Sequence, residues 1–355
     1  MKLKKLSYDV LDAAHKSNTN LFLVGAPGIA KTTYPKQWCA DTGKAYVLIH
    51  CPIVDAPDVG GVVISAKDAE GNPVTYSTKP EWLVRVEGAI KAGYKEGVIM
   101  LDELPAGELL TIKALASLLS ERGIGRWKVP EGWSVWCTGN RPEDKAGAAR
   151  LPAHVTQRVS RIDIEPDDES FGEWAASVDM DWRYVGFSKF KPSVVFNTTP
   201  VDDPSQPRCN PRTFTFAHNF HKQLEVNGVL PTDDATQAII RGFIGPAAAE
   251  LFAFLQVREH IPSIEDILAS PLTAKLPTAE RPDARFAVMQ LCVYNAKPTN
   301  VDTIFKYVKR LPADMAVTAA AQLAKKKELK GNMMNSPTLI EWISEDPELI
   351  ARILG

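Results

Sequence analysis

Asn20-Leu21-Phe22-Leu23-Val24-Gly25-Ala26-Pro27-Gly28-Ile29-Ala30-Lys31-Thr32-Thr33 is the stretch on which the fold turns. Residues 20–24 form a short apolar run that predicts a buried strand, and residues 31–40 can run as a helix. Between them lies a turn built around Gly25 and Gly28, the context that a phosphate-binding loop requires. Glycines let successive backbone N–H groups face a polyphosphate, and the following helix N-terminus adds a favourable dipole. On this reading Gly25, Ala26, Pro27, Gly28, Ile29, Ala30, Lys31, Thr32 and Thr33 form the nucleotide-binding set. Lys31 would reach the β and γ phosphates, and the Thr32 hydroxyl would ligate Mg²⁺. The pattern departs at Ala30, where the motif's last glycine is expected; a methyl group is the smallest intrusion there. The alternative is a glycine-rich turn that carries a chance Lys-Thr.

Outward from the loop, residues 45–50, 98–102, 133–138 and 161–165 read as further apolar strands with helical stretches between them. That order predicts an α/β fold with a largely buried parallel sheet. The third strand ends in Val98-Ile99-Met100-Leu101-Asp102-Glu103. A buried strand delivering carboxylates at its C-terminal end can hold a metal beside the first loop, which makes Asp102 the Mg²⁺ partner and Glu103 the base that polarises water. The alternative use of these acids is to cap a helix over 108–119. Residues 60–77 read as a hairpin whose turn is Asp68-Ala69-Glu70-Gly71-Asn72-Pro73. A second hairpin is expected to join 124–129 to the fourth strand through Pro130-Glu131-Gly132. Residues 166–211 mix aromatics, prolines and acids, and read as a short helix and an irregular linker; beyond 212 the helical period dominates, over 213–224, 233–243, 247–258, 283–294 and 301–309.

The 355 residues suggest about two compact units, and 45% hydrophobic with 24% charged residues excludes disorder, collagen and coiled coil. With 41 cations against 43 anions the net charge is −2, so bulk charge attracts neither nucleic acid nor an anionic membrane. No apolar run approaches the roughly 18 residues of a membrane span. Met1-Lys2-Leu3-Lys4-Lys5-Leu6 resembles the start of a signal peptide, but Asp9, Asp12, His15 and Lys16 interrupt the apolar region it needs. Cys39, Cys51, Cys137, Cys209 and Cys292 show no CxxC spacing, so a reduced, cytoplasmic location is expected. The six histidines show no paired zinc-ligand spacing, and no GxSxG elbow or Asn-Lys-x-Asp guanine motif occurs.

Taken in order, these motifs resemble those of the AAA+ ATPases, specifically the MoxR-like branch, over about 21–212. Trp133-Ser134-Val135-Trp136-Cys137-Thr138-Gly139-Asn140 is similar to the strand that ends in sensor 1, which implies that Asn140 touches the γ phosphate or orients water; its other reading is a turn cap before Arg141-Pro142. Leu151-Pro152-Ala153-His154-Val155-Thr156-Gln157-Arg158 resembles the segment that carries an arginine finger, with Arg158 at the finger position and Arg161 and Arg150 as rivals. Asn210-Pro211-Arg212 resembles sensor 2, with Arg212 opening a lid helix or else standing as a plain surface residue. The two hairpins match insertions of the branch and read as partner contacts or structural flaps; Trp82, Trp127, Trp133 and Trp136 lie in or near them. Tyr184-Val185-Gly186 looks like a polypeptide-threading pore motif but falls after sensor 1, and 53–61 holds no aromatic, so threading is not expected. Lys325-Lys326-Lys327 with Lys330 reads as a solvated helix face.

The resemblance implies an α/β AAA+ core over 1–166, a linker over 167–207, a helical lid over 208–260 and a helical region over 261–355. It further implies ATP with Mg²⁺, adenine over guanine, a ring of self-copies with six members, and a partner protein of the kind that bears a von Willebrand factor A domain. A nucleic-acid motor or loader is the alternative, weakly supported because Lys67 and Lys79 are balanced by Asp68 and Glu70, and Arg126 and Lys128 by Glu131. A nucleotide-gated scaffold with little turnover is the third reading; Asp102, Glu103 and Asn140 speak against it.

Overall fold

The computed structural model describes residues 1–144, 150–200, 203 and 205–354. They divide into two units: Met1–Ser170 with Thr198–Gln206 and Asn210–Arg212, and the remainder. In the first unit the strands are β1 (Leu21–Val24), β2 (Ala45–His50), β3 (Val63–Lys67), β4 (Pro73–Ser77), β5 (Gly97–Asp102), β6 (Gly123–Ile124), β7 (Trp127–Lys128), β8 (Trp133–Gly139) and β9 (Ser160–Asp163). Five of them form a parallel sheet in the order β2-β5-β8-β1-β9. Alternation along each strand divides the apolar residues between two cores. Phe22, Val24, Ile99, Leu101, Val135 and Cys137 face one, while Leu21, Leu23, Val98, Met100 and Trp136 face the other. Burial on both faces is why β1, β5 and β8 read as continuous apolar runs, whereas β2 alternates in burial and β9 is largely exposed. Helices α1 (Tyr8–Lys16), α2 (Thr33–Asp41), α3 (Ala56–Gly60), α4 (Glu81–Lys91), α5 (Leu109–Glu121) and α6 (Ala153–Thr156) supply the crossovers and covers. All five strands point the same way, so the turns after β1, β5 and β8 gather at one end.

The first hairpin forms as expected, with β3 and β4 antiparallel around the 68–72 turn. The second does not. Its partners are β6 and β7, closed by Gly125-Arg126, and β7 does not pair with β8. The reason is that β8 is already hydrogen-bonded to β5 on one side and β1 on the other, leaving no free edge.

Residues 168–195 also differ from expectation: α7 (Asp168–Ser177), α8 (Trp182–Phe190) and α9 (Pro192–Val195) stand where one short helix and an irregular linker are expected, while 201, 202 and 204 lie outside the described residues. In α8, Arg183, Tyr184, Gly186, Phe187 and Ser188 are all buried, so the helix is covered nearly all round and has no polar face to mark its period. Tyr184 is fully buried, which agrees with discounting it as a pore residue. Arg183 tolerates burial by pairing with Asp181 at 2.6 Å and Glu225 at 2.7 Å.

The rest of the second unit is helical, with α10 (Pro211–Gln223, of which Pro211 and Arg212 belong to the first unit), α11 (Asp234–Ile244), α12 (Ala247–Leu255) and further helices from Ile264–Ala269 to Leu349–Leu354. One apolar core gathers Tyr184, Phe187, Phe214 and Phe254, and another gathers Ile304, Phe305, Leu323 and Leu339. Lys326 departs from the solvated reading of its cluster. Its ammonium donates to Val293 O at 2.7 Å, one of the carbonyls in the last turn of the helix Pro282–Asn295, where a cation satisfies both an orphan acceptor and the helix dipole. No helix of the described residues is long and apolar enough to cross a membrane.

Candidate functional site

The turn after β1 closes on itself before any ligand is considered. Gly25 N donates to Gly139 O at 3.2 Å, and a Cβ on Gly28, whose φ is +78°, would lie 2.3 Å from Asn210 Oδ1. Ala30 adopts φ +69°, the left-handed region that the missing glycine would enter freely. The loop therefore takes the glycine conformation with an alanine in it. Helix α2 starts at Thr33, two residues later than expected, so Lys31 and Thr32 stand at its mouth. Lys31 is buried, and its Nζ donates to Gly25 O at 2.9 Å, Ala26 O at 2.7 Å and Asn140 Oδ1 at 2.9 Å. Burial, and after it the Arg212 charge, push the Lys31 pKa down to about 8, against the opposing pull of Asp144, Glu103 and Asp102.

Asp102 ends β5 beside the loop. Its Oδ1 accepts from Thr32 Oγ1 at 2.6 Å and from Thr138 Oγ1 at 2.6 Å, and its Oδ2 lies 3.4 Å from His50 Nδ1. Glu103 follows at φ +53° and ψ +40°, its N–H donating to Thr138 Oγ1 at 3.1 Å. Among the described residues the Glu103 carboxylate makes no hydrogen bond or ion pair. Neither acid caps α5, whose N-cap is Glu108.

Asn140 is buried against Lys31, and Arg141 beyond it grips Asp144 through Nη2 at 2.7 Å. Arg212, at the second position of α10, donates its N–H to Asn210 Oδ1 at 3.0 Å, and its Cβ lies 3.2 Å from where a Cβ on Gly28 would be. Thus Lys31, Thr32, Asp102, Glu103, Asn140 and Arg212 converge at the C-terminal end of the sheet. Arg158 does not join them. It precedes β9, where Ser160 pairs with Leu21 at the start of β1, and that strand alone spans about 13 Å to the loop. Arg158 is exposed and donates to His154 O; Arg161 is paired with Asp163 at 2.7 Å, and Arg150 is exposed. Thr138 and His50 were not singled out from the sequence. His50 announces itself only through strand register, opposite Asp102, and Thr138 only through its place next to Cys137, which is opposite Leu101.

The donor set at Thr32 and Asp102 is all oxygen, a hydroxyl and a carboxylate 2.6 Å apart, and hard oxygens of this kind fit Mg²⁺. The fold is of the α/β P-loop type, a five-stranded parallel sheet flanked by helices, with a helical C-terminal region. No family model matches the chain, and no curated protein does. Among solved structures it is similar to a point mutant of RuvB from Thermotoga maritima, at 13% identity over 76% of this chain and 74% of that one with a TM-score of 0.38. It is also similar to a protein from Cytophaga hutchinsonii described as an unproven ATPase, at 13% identity over 95% of this chain and 88% of that one with a TM-score of 0.33. At such identities and scores the likeness carries no residue-level correspondence.

Proposed function

We propose that the chain is an AAA+ ATPase of the MoxR-like type, which hydrolyses ATP at subunit boundaries of a six-membered ring and uses the cycle to remodel or activate a partner protein. The observation that carries the reading is the convergence of two hydrogen-bonded pairs, Lys31 with Asn140 and Thr32 with Asp102, next to a Glu103 carboxylate that has no partner among the described residues. A triphosphate on the 25–33 loop would take the Lys31 ammonium from the carbonyls that now hold it, and would draw on Arg212 from the side of Gly28. Mg²⁺ held by Thr32 Oγ1 and Asp102 would neutralise charge building on the β and γ phosphates. Glu103 would accept the proton of the attacking water, and Asn140 would hold that water or the γ phosphate. Release of Arg212 after hydrolysis would free α10, the start of the 208–260 lid. Arg158 is assigned to the neighbouring subunit's site, which its place at the far end of β1 supports. The partner with a von Willebrand factor A domain rests on the family resemblance.

Glu103→Gln should slow hydrolysis by about 10²- to 10⁴-fold while leaving nucleotide binding intact, and Lys31→Ala should weaken binding itself. A Glu103→Gln chain that hydrolyses ATP at the wild-type rate would falsify the assignment. A nucleic-acid motor is the second reading, favoured by one feature: exposed Arg126 stacks 4.9 Å over Trp127 and 5.7 Å over Tyr76, the kind of platform on which bases stack. Salt-sensitive stimulation of hydrolysis by single-stranded DNA would establish it.

A further inference from the structure

We infer that Thr138 is a positioning residue that locks the metal-binding carboxylate and the general base into one unit, an inference that rests on the ATPase reading above. Its hydroxyl is fully buried on β8 and has two partners: Asp102 Oδ1 at 2.6 Å and the Glu103 backbone N–H at 3.1 Å. Proton direction is fixed by the chemistry. An amide N–H can only donate, so the hydroxyl accepts from Glu103 and sends its own proton to Asp102 Oδ1. One hydroxyl therefore ties the side chain of the first acid to the main chain of the second.

Glu103 needs such a tie. It is a non-glycine residue at φ +53°, a conformation that local preference does not supply and that surrounding contacts must hold. Two bonds hold its peptide groups, the one to Thr138 and the one that Ala106 N donates to Glu103 O at 2.9 Å. Only the first also reaches Asp102. The same Oδ1 of Asp102 takes the Thr32 hydroxyl, so Thr138 sets the carboxylate against Thr32 on one side and the Glu103 backbone on the other. Moving this hydroxyl would move the metal carboxylate and the direction in which Glu103 leaves the strand together.

The test uses the full chain with Thr138→Val, which keeps the shape and removes the hydroxyl, and Thr138→Ser, which keeps the hydroxyl and removes the methyl. Mn²⁺ binding in the presence of a non-hydrolysable ATP analogue is read by electron paramagnetic resonance, beside hydrolysis and metal-free analogue binding. Thr138→Val should bind Mn²⁺ and hydrolyse ATP about 10- to 100-fold less well, with metal-free analogue binding unchanged, and Thr138→Ser should restore both. Wild-type Mn²⁺ affinity in Thr138→Val overturns the inference, as does a Thr138→Ser chain as impaired as Thr138→Val, since the methyl packing would then be what matters. A wild-type chain that binds Mn²⁺ with the analogue yet hydrolyses nothing sinks the hydrolase reading alone, because the Mn²⁺ comparison still decides Thr138. Absence of analogue-dependent Mn²⁺ binding by wild type sinks both.

Discussion

Ala30 and Glu103 hold left-handed backbone within the same site, and the two cases differ in what they predict. A left-handed L-residue costs roughly 1–2 kcal/mol. For Glu103 the cost is offset by the bonds that hold it. Ala30 is exposed, and its backbone O accepts from Tyr34 N at 2.9 Å, a bond that a glycine would keep. Ala30→Gly should therefore stabilise the nucleotide-free chain by about 0.5–1 kcal/mol, the relieved strain less the extra unfolded-state entropy of glycine. Chemical denaturation of the two chains measures it, and a less stable glycine chain would show that the methyl packs usefully. The sequence states the departure at residue 30 openly but says nothing of φ, which the neighbouring turn imposes. Lys31, Thr32, Asp102 and Glu103 were legible because each lies in one contiguous motif at a strand end. Thr138 and His50 were not, because their part depends on which strands are neighbours and in what register.

At the scale of elements, α10 is where burial and acid meet. His218 and His221 on this helix, and His15 on α1, are buried, and burial pushes each imidazole below its usual 6.5. His221 faces Tyr184 OH at 2.8 Å and Pro231 O at 2.7 Å. The carbonyl requires Nε2 to carry the proton, so in the neutral ring Nδ1 accepts from Tyr184, and protonating Nδ1 would turn that bond round and place a charge in a buried site. A depressed folded pKa means that these histidines contribute fully above about pH 6.5 and that the contribution is lost as pH falls through the folded values. The thermal midpoint should accordingly fall between pH 7.5 and pH 5.5, and His221→Gln should lessen the fall even if it lowers both midpoints. Equal midpoints at the two pH values in the wild-type chain would contradict this account. Element identity was readable where one physical rule dominates: β1, β5 and β8 are buried along nearly their whole length, and Asp233 caps α11 by accepting from Thr236 N. It failed at α8, covered nearly all round, and at β7, whose partner depends on which sheet edges are already taken.

On the scale of the whole molecule, the near balance of 41 cations and 43 anions conceals a division of labour among arginines. Arg212 stands at the loop, while Arg158 stands at the other end of β1 with a side chain too short to return. If Arg158 serves a neighbour, mixing Arg158→Ala chains with Glu103→Gln chains should raise hydrolysis above that of either alone, because some boundaries then pair an intact site with an intact finger. No gain on mixing, together with full activity of Arg158→Ala alone, would remove the residue from the mechanism. Helix α2 offers a way to watch the site without a label. Its first turn follows the phosphate loop, and its Trp38 lies buried 5.1 Å from Trp136 of the central sheet, with the rings inclined by 31°. Indoles at that separation couple optically, so a shift of α2 when nucleotide seats itself should alter the near-ultraviolet dichroism, a change that Trp38→Phe should abolish. The helix that anchors the loop thus doubles as an intrinsic chromophore pair for its occupancy.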